Sequence, residues 1–101
     1  MNYKKIKMNV LGKRYTLFVA DTIKKQRLGM KIFEKPARNT GMIFTYNSPV
    51  QRSFTMVGVK YPLRIIFFDK EHKIIDDFLC KPGQKNITAS KPFSYVIEIP
   101  A

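Results

Sequence analysis

Few residues of this chain have the types and spacing that catalysis requires. His72 is the one histidine, so any imidazole acid–base scheme or triad would rest on it. It stands between Glu71 and Lys73 in a stretch of turn composition, where a solvated side chain is expected. Cys80 is the one cysteine. Lys81 beside it would favour the thiolate somewhat, but a buried or half-buried inert thiol is the expectation. One His and one Cys cannot furnish a dedicated zinc site. Asp76 and Asp77 are adjacent, and neighbours on a strand point to opposite faces, so the two cannot act together on one substrate atom. Asp69 opens a turn, where an aspartate commonly binds its own backbone. The glycines at 29, 41, 58 and 83 are isolated and form no phosphate-cradling loop. The residues imply no catalytic group, no metal and no cofactor.

What the chain does have in excess is positive charge. Its 101 residues carry a formal net charge of +12. Residues 1–38 hold eleven Lys/Arg against Asp21 and Glu34, and residues 39–101 hold eight against five acids. The first third therefore generates most of the field, which would draw polyanions or acidic protein surfaces over about 8–10 Å at physiological salt. Basic and aromatic residues interleave at Tyr3-Lys4-Lys5, Lys13-Arg14-Tyr15 and Lys60-Tyr61, a pattern that could stack on unpaired bases while offsetting phosphates. An aromatic on a strand is more often core. Met8, Met30, Met42 and Met56 read as core filler.

The elements that must position these groups are mostly strands. Ile6, Met8 and Val10 alternate with Lys5, Lys7 and Asn9. Gly12-Lys13 suits a two-residue turn with Gly first, and Tyr15–Ala20 reads as the return strand. That hairpin brings Lys5, Lys7, Lys13 and Arg14 to one exposed edge. Asp21 or Thr22 can cap a short helix over 22–28 that Gly29 ends. Residues 34–40 are loop. Strands resume at Gly41, with a turn at Asn47-Ser48-Pro49, then Phe54 and Met56 on a common face. Leu63–Phe68 is apolar on both faces apart from Arg64, as an interior strand should be. Lys73–Leu79, a loop over 80–92, and alternating Phe93, Tyr95, Ile97 and Ile99 complete the chain. The pattern predicts one domain over 1–101: seven or so short antiparallel strands and one small helix, in a sandwich or barrel. No apolar run is long enough to span a bilayer. The basic start lacks the apolar stretch of a secretory signal, and a lone cysteine fits a reducing compartment, so a cytoplasmic location is expected.

Several segments in order are similar to the bacterial, archaeal and phage family known as domain of unknown function 192. They are Val19-Ala20-Asp21-Thr22, Arg27, Gly29-Met30, Gly41-Met42-Ile43-Phe44, Phe54-Thr55-Met56, Pro62-Leu63, and the closing Phe93, Tyr95, Val96, Glu98 and Pro100. The resemblance implies a compact all-β, antiparallel sandwich of jelly-roll type with a small helix. It implies no activity, the family being uncharacterised. Members usually carry Phe-Trp-Met-Lys-Asn-Thr and Ile-Pro-Leu-Asp; this chain reads Phe54-Thr55-Met56-Val57-Gly58-Val59 and Tyr61-Pro62-Leu63-Arg64. The scaffold positions carry over and no catalytic role does.

The sequence thus points to a non-enzymatic β domain that binds an acidic macromolecule, nucleic acid or an acidic protein surface. Lys5, Lys7, Lys13 and Arg14 would be the contacts, and Arg52 and Arg64 a second cluster. A different class of reading is a small-ligand or carbohydrate site, hydrolytic if Asp69, Asp76 or Asp77 supply two carboxyls about 5–9 Å apart in a pocket. A third is a phage-type accessory or assembly protein whose sheet edge pairs with another chain. Oligomeric state is not legible.

Overall fold

The computed structural model describes residues 2–101. The N-terminal alternation forms β1 (Lys5–Val10) and β2 (Lys13–Ala20), paired antiparallel with Lys5 opposite Phe18 and Val10 opposite Lys13. The turn between them is Leu11-Gly12, one residue earlier than expected. Both residues have positive φ, 49° and 82°, the geometry in which the second position is the one that favours Gly. Helix α1 (Ile23–Leu28) is capped as its sequence indicates. The Thr22 hydroxyl accepts from the Lys25 amide at 3.2 Å, and Gly29 ends the helix at φ 52°. A 3-10 turn, Gly29–Ile32, follows.

Strand β3 (Thr40–Val50) lies parallel to β2, with Phe18 opposite Met42. This corrects the expectation of wholly antiparallel pairing. Residues 21–39, helix included, are long enough to carry the chain back across the sheet, which a parallel pair requires. Asn47-Ser48-Pro49 is not a turn between strands either. β3 continues through it with a register shift between Thr45 and Val50, where Pro is tolerated. Phe54 and Met56 lie in a loop, tied to the loop over 80–92 by a bridge from Phe54 to Ile87 and by the Met56 amide, which donates to the Gln84 carbonyl at 2.7 Å. β4 (Leu63–Phe68), β5 (Ile74–Cys80) and β6 (Phe93–Pro100) complete a six-stranded mixed sheet in the order β1-β2-β3-β6-β4-β5. The fold is mainly β with one short helix, in a single hydrogen-bonded sheet.

Each face of that sheet carries a core. On the helix side Met42, Phe44, Ile65, Phe67, Phe93 and Val96 are buried with Met30, Met56 and Ile87 from the segments that cover them. On the other side Val10, Leu17, Val19, Ile43, Ile66, Phe68, Ile97 and Ile99 form one cluster. That cluster consists of strand residues alone, buried with no helix or loop residue among them, so the sheet curls over its own side chains, as twisted sheets do. Gly41 sits where β2, β3 and β6 come closest. A Cβ there would overlap the Glu98 carbonyl oxygen and crowd Ile99 and Leu17, which is the physical reason for glycine in Gly41-Met42-Ile43-Phe44.

Candidate functional site

The hairpin register separates the predicted cationic contacts. Lys5, Lys7 and Arg14 share the helix side of the sheet, because they stand opposite Phe18, Thr16 and Asn9. Lys13 stands opposite Val10 and belongs to the other face. All four are exposed. The Lys5 ammonium lies over the Phe18 ring at 4.9 Å, Phe18 meets Tyr3 at 5.8 Å between centroids, and the Lys25 ammonium lies over Tyr3 at 5.2 Å. This stack joins the hairpin to α1. It also occupies the rings: Tyr3, Phe18 and Tyr61 pack on the helix-side core and Tyr15 on the opposite one. The Tyr61 hydroxyl donates toward the carbonyls of Met30 and Phe33, at 3.0 and 2.9 Å. The interleaved aromatics therefore serve packing rather than a stacking platform.

Arg52 and Arg64 do not form a cluster. Arg64 projects on the face opposite the helix, between Leu63 and Ile65, whose side chains face the helix-side core. Its guanidinium donates two hydrogen bonds of 2.9 Å to the Asp77 carboxylate, a bidentate pair that cancels its charge locally. Arg52 lies over the Tyr46 ring at 5.5 Å on the helix side. The residues before and after it are fastened down. Gln51 donates to Thr88 and to the Ala89 carbonyl, and the Thr88 hydroxyl donates to the Arg52 carbonyl at 2.9 Å.

The carboxylates are largely engaged inside the molecule. Asp21 pairs with Lys25, Glu34 with Lys60 and Asp77 with Arg64. Asp76 accepts from the Ser90 amide and hydroxyl. Asp69 accepts from the amides of Lys73 and Glu71, which hold its pKa below the ordinary carboxylate value. That is the turn role its position indicates. None of Asp69, Asp76 and Asp77 lines the cavity of about 420 Å³ beneath α1; each is engaged instead by turn amides, Ser90 or Arg64. His72 sits in the turn at φ 66°, its Nδ1 2.9 Å from the Tyr95 hydroxyl. The buried Cys80 thiol is pushed up in pKa by burial and then by the charge of Glu98. Among the described residues, no group of three or more His, Cys, Asp or Glu could hold a metal ion.

The feature that sequence reasoning missed is Glu98. Read as a strand, Phe93–Pro100 puts Glu98 on the same side as Ser94, away from Phe93, Tyr95, Ile97 and Ile99. In the structure that side faces α1. The register places Glu98 at the centre of a row that runs Phe18, Met42, Glu98, Ile65, Phe78 across five strands. It is only 5% exposed. Burial alone pushes its carboxyl up to about 8, with no hydrogen bond or neighbouring charge to offset it. At neutral pH it is therefore mostly protonated, and the molecule is nearly one unit more positive than its formal charge. Glu98 lines a cavity of about 420 Å³. The walls are Met30, Phe44, Phe54 and Val59, and the polar and cationic lining comes from Gln26, Arg27, Lys31, Arg52, Ser53 and Thr55. Gln26 holds α1 over this space, its amide donating to the carbonyls of Ala20 and Thr45 at 3.0 and 2.9 Å. The Lys31 stem runs close to Gly58, which at φ 87° has no Cβ to obstruct it.

The molecule is a small mainly β protein whose mixed sheet carries a helix-covered cavity with Glu98 at its floor. The chain belongs to the family DUF192, described as "Uncharacterized ACR", whose sequence profile matches residues 5–101. Two solved structures are similar in fold. One is a protein of unknown function from Novosphingobium aromaticivorans (TM-score 0.77, 22% identity, 98% of this chain and 74% of that one). The other is a "putative transcription regulator" from Sinorhizobium meliloti (TM-score 0.81, 21% identity, 100% of this chain and 84% of that one). At these identities the likeness is one of fold. No curated protein matches the chain. The segments that carry the family resemblance converge on the cavity: Arg27, Gly29, Met30, Phe44, Phe54, Thr55 and Glu98 all line it.

Proposed function

We propose that this protein is a non-enzymatic binding domain for an acidic macromolecule, recognised through charge on the helix side of the hairpin. One observation carries the reading. Among the described residues, ion pairs engage only Lys25, Lys60 and Arg64 of the nineteen Lys and Arg, while every carboxylate except Glu71 is held internally or buried. Lys5, Lys7 and Arg14 thus present unopposed charge from one face of an edge strand pair. The neighbouring rings of Tyr3, Phe18 and Tyr15 are occupied by packing, so the partner is met through its anionic groups. The phosphate backbone of nucleic acid is the first partner to test, and the cytoplasm, where the free thiol of Cys80 stays reduced, is the compartment in this reading.

The test is the salt dependence of binding to a DNA duplex. Three phosphate contacts give a slope of about −2.7 in log K against log salt, a loss of roughly fortyfold between about 50 and 200 mM. Lys5→Ala with Lys7→Ala removes about 1.8 from that slope, whereas Lys13→Ala, on the other face, leaves it nearly unchanged. Absent binding, or a slope that ignores Lys5 and Lys7, sinks the reading.

Assembly through a free strand edge is a second reading. β1 and β5 end the sheet, and β5 exposes Leu79 at 69%, an invitation to pair with another chain. Light scattering that reports only monomer at high concentration removes self-assembly.

A further inference from the structure

The charge reading leaves the Glu98 cavity unexplained. Buried polar groups in folded proteins are nearly always hydrogen-bonded. The Glu98 carboxyl has no partner within the protein, yet its oxygens keep some access, since among the described residues only the Tyr3 hydroxyl is a fully sealed side-chain polar atom without one. The Glu98 carboxyl opens onto a space whose volume of about 420 Å³ lies within the ~300–1,000 Å³ usual for small-molecule sites. Its surroundings are selective. The floor offers a neutral acid that both donates and accepts a hydrogen bond. The walls are aromatic and aliphatic, Phe44, Phe54 and Met30, and three cations, Arg27, Lys31 and Arg52, stand in the lining.

We propose that this cavity binds a small organic anion whose uncharged hydrogen-bonding end meets Glu98 and whose phosphate or carboxylate is held by Arg27, Lys31 and Arg52. The neutral end must supply an acceptor for the Glu98 proton and a donor for its carbonyl oxygen, as a hydroxyl, an amide or the edge of a nucleobase does. A cationic ligand is disfavoured by three like charges in the lining. A macromolecular polyanion cannot bring its backbone to a residue buried beneath α1, so this site is separate from the hairpin surface.

The groups near Glu98 make its protonation legible. Tyr46 on β3, Tyr61 ahead of β4 and Cys80 at the end of β5 are the titratable residues whose pKa values feel its charge. Burial raises all three, Tyr46 to about 12. The cations in the lining, Arg27, Lys31 and Arg52, face the same space from α1, the 3-10 turn and the loop after β3. Between pH 4.5 and 8, Glu98 is the group among them that changes charge.

Calorimetry with uridine monophosphate, glucose phosphate and citrate at millimolar concentration tests the proposal, with inorganic phosphate, uridine and glucose as controls. At least one organic anion binds the wild-type chain more tightly than every control. Its affinity falls as Glu98 ionises, by up to about tenfold per pH unit above its pKa. Glu98→Gln, which donates and accepts without titrating, binds with no such pH dependence. Arg52→Ala, an exposed position that the fold does not need, weakens binding by about tenfold. Phosphate ester against citrate identifies the charged group. Failure of all three organic anions to bind overturns the proposal. So does inorganic phosphate binding as tightly as the esters, which would mark an adventitious ion only, or the same pH profile in Glu98→Gln. Should Glu98→Gln fail to fold, the Arg52→Ala comparison and the wild-type pH profile still decide.

Discussion

Replacing Glu98 by Gln should change how stability depends on pH more than it changes stability itself. In the fold the Glu98 carboxyl keeps its proton up to a pKa of about 8, against an ordinary value of 4.5. Between those values the unfolded chain has released the proton and the folded chain has not, so the folded state binds more protons and stability must fall as pH rises. The gradient is about 1.4 kcal/mol per pH unit, and the whole window amounts to roughly 5 kcal/mol. By pH 7 roughly 3 kcal/mol of it is already lost, a large fraction for a domain whose net stability is of order 5–15 kcal/mol. Above the folded pKa both states are ionised and the loss stops. Glutamine does not titrate. Its buried amide adds an offset of about 1–3 kcal/mol if its own donors lack partners, but that offset is the same at every pH. Urea unfolding of both proteins from pH 4.5 to about 9 therefore yields a difference that grows in favour of Gln by about 1.4 kcal/mol per unit and flattens above 8. Groups that titrate in both, Asp69 among them, cancel. Parallel curves would show that Glu98 is solvated or partnered in the folded protein, and the account of the cavity floor would go with it.

Two further outcomes follow from the packing. Gly41→Ala drives a methyl group against the Glu98 carbonyl and should destabilise by about 1–3 kcal/mol or more, seen as a lowered Tm; an unchanged Tm would mean β3 and β6 do not approach as described. Cys80 is fully buried and its thiol is shifted up by burial. A thiol-reactive dye should therefore label it only as fast as the protein opens, and immediate stoichiometric labelling would contradict its place in the core.

Much of this molecule is written in its local sequence. Alternation in Ile6–Val10, the apolar run Leu63–Phe68, Thr22 before α1 and Gly29 after it each act through the nearest few residues, where period and capping chemistry decide. The Asp69 turn was legible for the same reason. The β2–β3 pairing was not, because two strands adjacent in sequence pair parallel or antiparallel according to where the intervening segment can bury itself. Nor did Asn47-Ser48-Pro49 reveal that it continues a strand, since a bulge and a turn draw on the same residues.

The cationic candidates divide along the same line. The sequence alone determined that Lys5, Lys7, Lys13 and Arg14 would be exposed, because alternation sets inside against outside. Strand alternation already sets the neighbours Lys13 and Arg14 on opposite faces; the hairpin register decided that Arg14 joins Lys5 and Lys7, and pairing of β4 with β5 that Arg64 is neutralised by Asp77. Most of all, tertiary structure decided Glu98. A carboxyl at an alternate position reads as solvent-facing, and only the return of α1 across that face turns it into a neutral acid at the bottom of a cavity. Side-chain period is local, but what covers a face comes from residues some seventy positions away in the chain.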